Sequence, residues 1–108
     1  MKLVALTFLT FVPLIANSAQ TIDMNKSVTR ISTYDSSAVV FFTPSQANGQ
    51  NCTDPRTDAV KIDLTVESGS KMLSTALAAA TAGKKIGFGL NGCLEGNLPK
   101  VYRVDVGF

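Results

Sequence analysis

AVKIDLTVESGSKMLSTALAAATAGKKIGFGL, residues 59–90, changes its hydrophobic period twice. Val60, Ile62, Leu64 and Val66 alternate with Lys61, Asp63, Thr65 and Glu67, so residues 59–67 read as a half-buried strand. Ser68-Gly69-Ser70 breaks the alternation and offers a hydroxyl as helix cap. Lys71 to Ala82 then reads as a helix, with Leu73, Ala76, Leu77 and Ala80 at helical spacing and Ala78-Ala79-Ala80 raising the propensity. Its small residues would let it lie close to a sheet, and Gly83 is placed to end it in the left-handed conformation. Lys84 to Leu90 is extended again. Ile86, Phe88 and Leu90 share one face, while Gly87 and Gly89 leave the other bare, which signals a close approach to the backbone. The approaching group is either the domain's own helix or bent strand, or a ligand ring or partner subunit.

Working upstream, Val28–Tyr34 reads as a strand, Asp35-Ser36-Ser37 as a turn and Ala38–Thr43 as a second strand, paired as an antiparallel hairpin. Val39-Val40-Phe41-Phe42 has no polar alternation, so this strand is expected to be covered on both faces or central in a barrel. Residues 20–27 are polar and read as a loose lead-in. Pro44–Asp58 is the longest irregular stretch, rich in turn formers. Downstream, Asn91-Gly92-Cys93 reads as a turn, Glu95–Pro99 as a polar loop and Lys100–Phe108 as a half-buried strand. The order β-β-β-α-β-β describes a β-rich α+β fold. A small OB-like, partly open barrel fits it, with an antiparallel sheet carrying the helix on one face as the alternative.

Met1–Gln20 has the form of a secretory signal peptide: Lys2, an apolar run from Leu3 to Ala16, then the small or short residues Ala16 to Ala19. Cleavage after Ala19 or after Ser18 is expected. The apolar run is shorter than the about 20 residues a spanning helix needs, and no later stretch is long and apolar enough. The expectation is a cleaved signal at residues 1–19 and one small domain at 20–108, secreted or periplasmic, with no membrane span. In an oxidising compartment Cys52 and Cys93 would form a structural disulfide that pins the long loop. A redox or metal role is the alternative, and it lacks both a C-x-x-C motif and any histidine.

With no histidine, a Ser-His-Asp triad and histidine-based zinc sites are excluded, and no dinucleotide or phosphate-loop motif occurs. No cofactor and no metal site is expected. Asp54 with Asp58, or Glu95 with Asp105, are the carboxylate pairs that could serve glycoside hydrolysis. A domain this small rarely forms a deep cleft, so the chain reads as a non-enzyme. Ten basic against eight acidic residues, with Lys84-Lys85 the only adjacent basic pair, give no footprint for nucleic acid. Asn51-Cys52-Thr53 matches a glycosylation sequon, with a cysteine at its centre.

The segment Met72–Ile86, an Ala-rich helix ending in Gly83-Lys84 and feeding a strand that soon meets Cys93, resembles small secreted bacterial OB-like proteins such as the B subunits of AB5 toxins. The resemblance implies an exported OB-like domain that binds a glycan and assembles into a ring of copies. No sugar-binding residue transfers position by position. The competing expectation is a secreted or periplasmic accessory or inhibitor protein that contacts a protein partner through the loop Pro44–Asp58.

Overall fold

The computed structural model describes residues 19–107. Apart from Ala19, the expected signal peptide lies outside the described residues, as does Phe108. The elements are β1 (Gln20–Thr33), β2 (Ser37–Thr43), β3 (Ala59–Asp63), α1 (Glu67–Ala82), β4 (Ile86–Leu94) and β5 (Leu98–Val106). The strands close into a barrel in the order β1-β2-β3-β5-β4, with β4 returning to β1. All pairings are antiparallel except β3 with β5, a parallel seam carried by the register pair Lys61↔Lys100. This is an OB-like barrel, with its helix between the third and fourth strands.

The chain departs from the sequence-based reading first at residues 20–27, which are the first half of β1 and not a loose lead-in. That half pairs with β4 (Gln20↔Leu90, Ile22↔Phe88) and the second half pairs with β2 (Ile31↔Val40, Thr33↔Ala38). Register shifts between Ile22 and Lys26 and between Val28 and Arg30 bend the strand around the barrel. The Val28–Arg30 shift adds one residue and so switches the face that follows, while the break between Ile22 and Lys26 adds two unpaired residues; together they obscure the period of two in the sequence. Lys26 is buried, with its Nζ 6.0 Å from the Phe42 ring centroid.

The alternation from Val60 to Val66 also overstates β3. Val60 and Ile62 do face the core, but the strand ends at Asp63. The Asp63 carboxylate accepts hydrogen bonds from Thr65 N–H at 2.9 Å and from its hydroxyl at 2.6 Å, which turns the chain there. The helix therefore starts four residues earlier than Lys71, with Val66 as N-cap and no side-chain cap bond. Ser68-Gly69-Ser70 lies inside its first turn. Gly69 presses against the end of β3, where an added methyl would overlap the Asp63 carbonyl. That contact phases the helix: Gly69, Ala76 and Ala79 are buried, with Met72 and Leu73 packed on the core, whereas Leu77 and Ala80 are exposed. Gly83 ends it with φ 66, as expected.

Asn91-Gly92-Cys93 does not turn. The bulge between Leu90 and Cys93 absorbs these residues, and β4 runs on to Leu94, paired with Leu98. The turn falls at Glu95–Asn97, with Asn97 N–H donating to Leu94 O at 3.2 Å, so β5 begins at Leu98, inside the expected loop. The bare face at Gly87 and Gly89 is filled by the domain itself. A Cβ at Gly87 would meet the backbone of Ile22 and Met24, and one at Gly89 would meet the Tyr102 ring 2.9 Å away.

The barrel interior holds Ile22, Val40, Phe42, Val60, Ile62, Phe88 and Leu90, closed by Ala76 and Ala79 of the helix. Phe42 and Phe88 meet at 5.6 Å between ring centroids. Burial of side chains this size contributes about 1.5–3 kcal/mol each. A second cluster, Val39, Ala59 and Leu98 with Phe41 packed on it, lies apart from the interior. β2 is thus apolar on both faces because both are used: Val40 and Phe42 inside, Val39 and Phe41 outside.

Candidate ligand-binding groove

The outer cluster is the floor of a groove of about 760 Å³. Val39 and Phe41 of β2 and Leu98 of β5 supply its apolar surface. One end is the β1–β2 turn, tightened by Tyr34 N–H donating to Ser37 O at 2.7 Å, and it carries the Tyr34 ring, 61% exposed. The other end is the β4–β5 turn, with Glu95 and Asn97.

The side wall comes from the long loop, through Asp54 and Arg56. This loop is fastened at many points. Cys52 and Cys93 form the expected disulfide, with 5.7 Å between Cα atoms. Thr53 N–H donates to Gly96 O and Asp54 N–H to Asn97 O, both at 3.0 Å, which ties the loop to the β4–β5 turn. Gln50 is buried; its Oε1 accepts from Gly92 N–H at 2.8 Å and its Nε2 donates to Gln20 Oε1 at 2.9 Å. Gln46 accepts from Asp23 N–H at 3.0 Å. The loop is a built wall.

Two of the groove's cations, Lys61 and Arg56, are paired. Lys61, nearly buried, bridges to Glu95 at 2.9 Å and donates to Asn97 Oδ1 at 3.4 Å. Arg56 bridges to Asp58 at 2.9 Å while its backbone N–H donates to Asp54 Oδ1 at 3.0 Å. The guanidinium carbons of Arg30 and Arg56 lie 4.0 and 4.9 Å from the Phe41 ring centroid. Arg30, Arg56 and Lys61 are balanced by Asp35, Asp54 and Glu95 among the lining residues.

Of the carboxylate pairs read from the sequence, Asp54 and Asp58 both converge on Arg56, one through its backbone and one through its side chain. Glu95 and Asp105 are not brought together: Glu95 lines the groove, and Asp105 pairs with Arg103 at 3.0 Å on β5. Among the described residues no group of His, Cys, Asp or Glu gathers to hold a metal, and no helix is long and apolar enough to cross a membrane. The sequence reading did not single out Arg30, Tyr34, Phe41 or Asn97. The usable signal was the unbroken apolar run of β2, which requires cover on its outer face.

A second hollow, about 460 Å³, runs along the end of α1 between Ala78, Ala82 and Val106, and is almost wholly apolar. The β2–β3 groove joins an apolar floor to polar and charged groups from four parts of the chain, which makes it the candidate site. Compared with known proteins, the chain matches no family model, no curated protein and no solved structure.

Proposed function

We propose that this protein is an exported binding module that takes a glycan in the β2–β3 groove. The observation that carries the reading is the make-up of that groove: an exposed Tyr34 ring at its mouth, an apolar floor, and amide, hydroxyl and carboxylate groups around the rim. A saccharide offers this surface a C–H face for the ring and a hydroxyl fringe for the polar groups. OB barrels bind oligonucleotides and oligosaccharides on this strand face, between the 1–2 and 4–5 loops. The balanced lining charge favours the saccharide over a polyphosphate backbone. Export is supported by the leader-like residues 1–19 and by the Cys52–Cys93 bridge. The AB5-like segment extends the proposal to a ring of copies.

The test is a glycan array followed by calorimetry on the hits, beside native mass spectrometry. Tyr34→Ala should weaken binding several-fold, up to about tenfold, the effect of losing one stacking ring, with the melting temperature unchanged. Absence of binding to any glycan overturns the reading. A strictly monomeric mass removes the ring.

A second reading, a protein partner held by the loop Pro44–Asp58, is favoured by how firmly that loop is fastened. Deleting residues 45–50 would not test it, because Gln50 is part of the fold. Ala47→Arg, at an exposed position, should abolish capture of such a partner and leave glycan binding intact.

A further inference from the structure

The Val28–Arg30 bulge changes which residue faces the groove. Val28 stands opposite Phe42, and in a regular antiparallel ladder Thr29 would then face Phe41 and Arg30 would face Val40. Val40 points into the barrel, so an unbulged strand would aim Arg30 at the core. The extra residue instead sets Arg30 opposite Phe41, on the outer face. Bulges commonly re-aim a side chain in this way.

The arginine so placed is unlike the others. Arg56 is paired with Asp58, and Arg103 with Asp105. Among the described residues the Arg30 side chain has no ion pair and no hydrogen bond; its contact is the Phe41 ring, 4.0 Å from the guanidinium carbon. Packing on the ring uses the flat face of the guanidinium and leaves its N–H edge open. That edge is reachable from two sides, since Arg30 lines both the groove and an adjoining hollow of about 210 Å³ that includes Thr29 and Asp58.

We infer that Arg30 is the anion-recognising residue of the groove and that the ligand is a saccharide bearing a carboxylate. The inference rests on the glycan reading above. Two carboxylate oxygens match the guanidinium fork, which gives geometric selection that a lysine lacks. Asp35, Asp54 and Glu95 in the same lining repel additional negative charge, so the site suits one acidic residue and not a polyanion. Phe41 acts as the positioning residue for Arg30.

The experiment is an array of carboxylated oligosaccharides, uronic acids among them, printed beside their carboxyl-reduced forms and probed with the oxidised protein. Carboxylated members should be retained and their reduced forms bound at least tenfold more weakly. Arg30→Gln should lose the acidic members by a similar factor and so bind acidic and reduced forms alike, and Arg30→Lys should recover part of the preference, with unchanged melting temperatures. Equal binding of acidic and reduced forms overturns the inference while the groove reading survives, provided Tyr34→Ala still weakens binding. Displacement by acetate as strong as by the acidic saccharide overturns the saccharide assignment. If no member of either series binds, the groove reading falls and takes the inference with it.

Discussion

The side-chain carbonyl of Gln50 accepts a hydrogen bond from the backbone N–H of Gly92 at 2.8 Å, so a residue of the long loop serves as strand partner to β4. The site is where β4 bulges, between Leu90 and Cys93, and where a backbone donor would otherwise lack a ladder acceptor. Gln50 and the adjacent disulfide together turn an irregular segment into part of the barrel.

Replacing Gln50 with Ala should therefore cost about 2 kcal/mol, the range for leaving a buried donor unsatisfied. Urea denaturation would read the loss. Hydrogen exchange should quicken at Gly92 before it changes in the β2–β3 hairpin. A neutral substitution would mean that water replaces the side chain without cost.

Cys52 and Cys93 close a loop of 41 residues. Constraining such a loop in the unfolded chain stabilises the fold by about 4 kcal/mol in the chain-entropy model. The double Cys→Ser variant should lose a comparable amount in denaturant titration. It should also weaken ligand binding, because Asp54 and Arg56 then lose their anchor. Retention of full stability and binding would show that the backbone bonds of Thr53 and Asp54 hold the wall without the bridge.

Two glycines of the helix region should respond very differently to alanine. At Gly69 the new methyl overlaps the Asp63 carbonyl oxygen, and the backbone on both sides has to move. The expected cost is about 3 kcal/mol, the upper part of the usual range for overpacking. At Gly83 the methyl meets open space, and only the left-handed φ of 66 opposes it. The expected cost there is about 1 kcal/mol. Thermal melts of both variants would check the order.

Acid stability should depend in part on Asp63. Its carboxyl is held below the usual value of 3.8, first by the Thr65 hydroxyl, then by the Thr65 backbone N–H, with a smaller contribution from the Lys100 charge. A depressed folded pKa gives stability that is present above the unfolded value and is lost as pH falls through the folded one. Asp63→Asn should thus flatten the stability profile below about pH 4, the ordinary aspartate range. An NMR titration of the Asp63 carboxyl that matches a free peptide would contradict this.

Much of the fold was legible locally. The period of two in Val60–Ile62 marks a strand with one wet face, and the Ala-rich run closed by Gly83 marks a helix, because both signals come from a single element meeting the core. The four-residue error at the start of α1 has a tertiary cause, since Leu64 and Val66 keep the strand pattern after the Asp63 turn has ended the strand. The missing first half of β1 and the continued β4 have another. Both are bulged strands, and a bulge breaks the alternation by which a strand is recognised.

The candidate site divides along the same line. Its chemistry is present in the chain as ordinary residues: an arginine in a strand, a tyrosine before a turn, an apolar run with no polar face. What assembles them is long-range. Arg30 meets Phe41 through a cross-strand register, Arg56 reaches the same ring from the loop, and Lys61 meets Glu95 across the closed seam. Residue type and local spacing were enough for the element order and for the cysteine pair, because propensity, period and a single available pairing act within the chain. Barrel closure, the bulges of β1 and β4 and the groove depend on which strand lies next to which, and that is decided by burying Ile22, Phe42, Phe88 and Leu90 in one common interior.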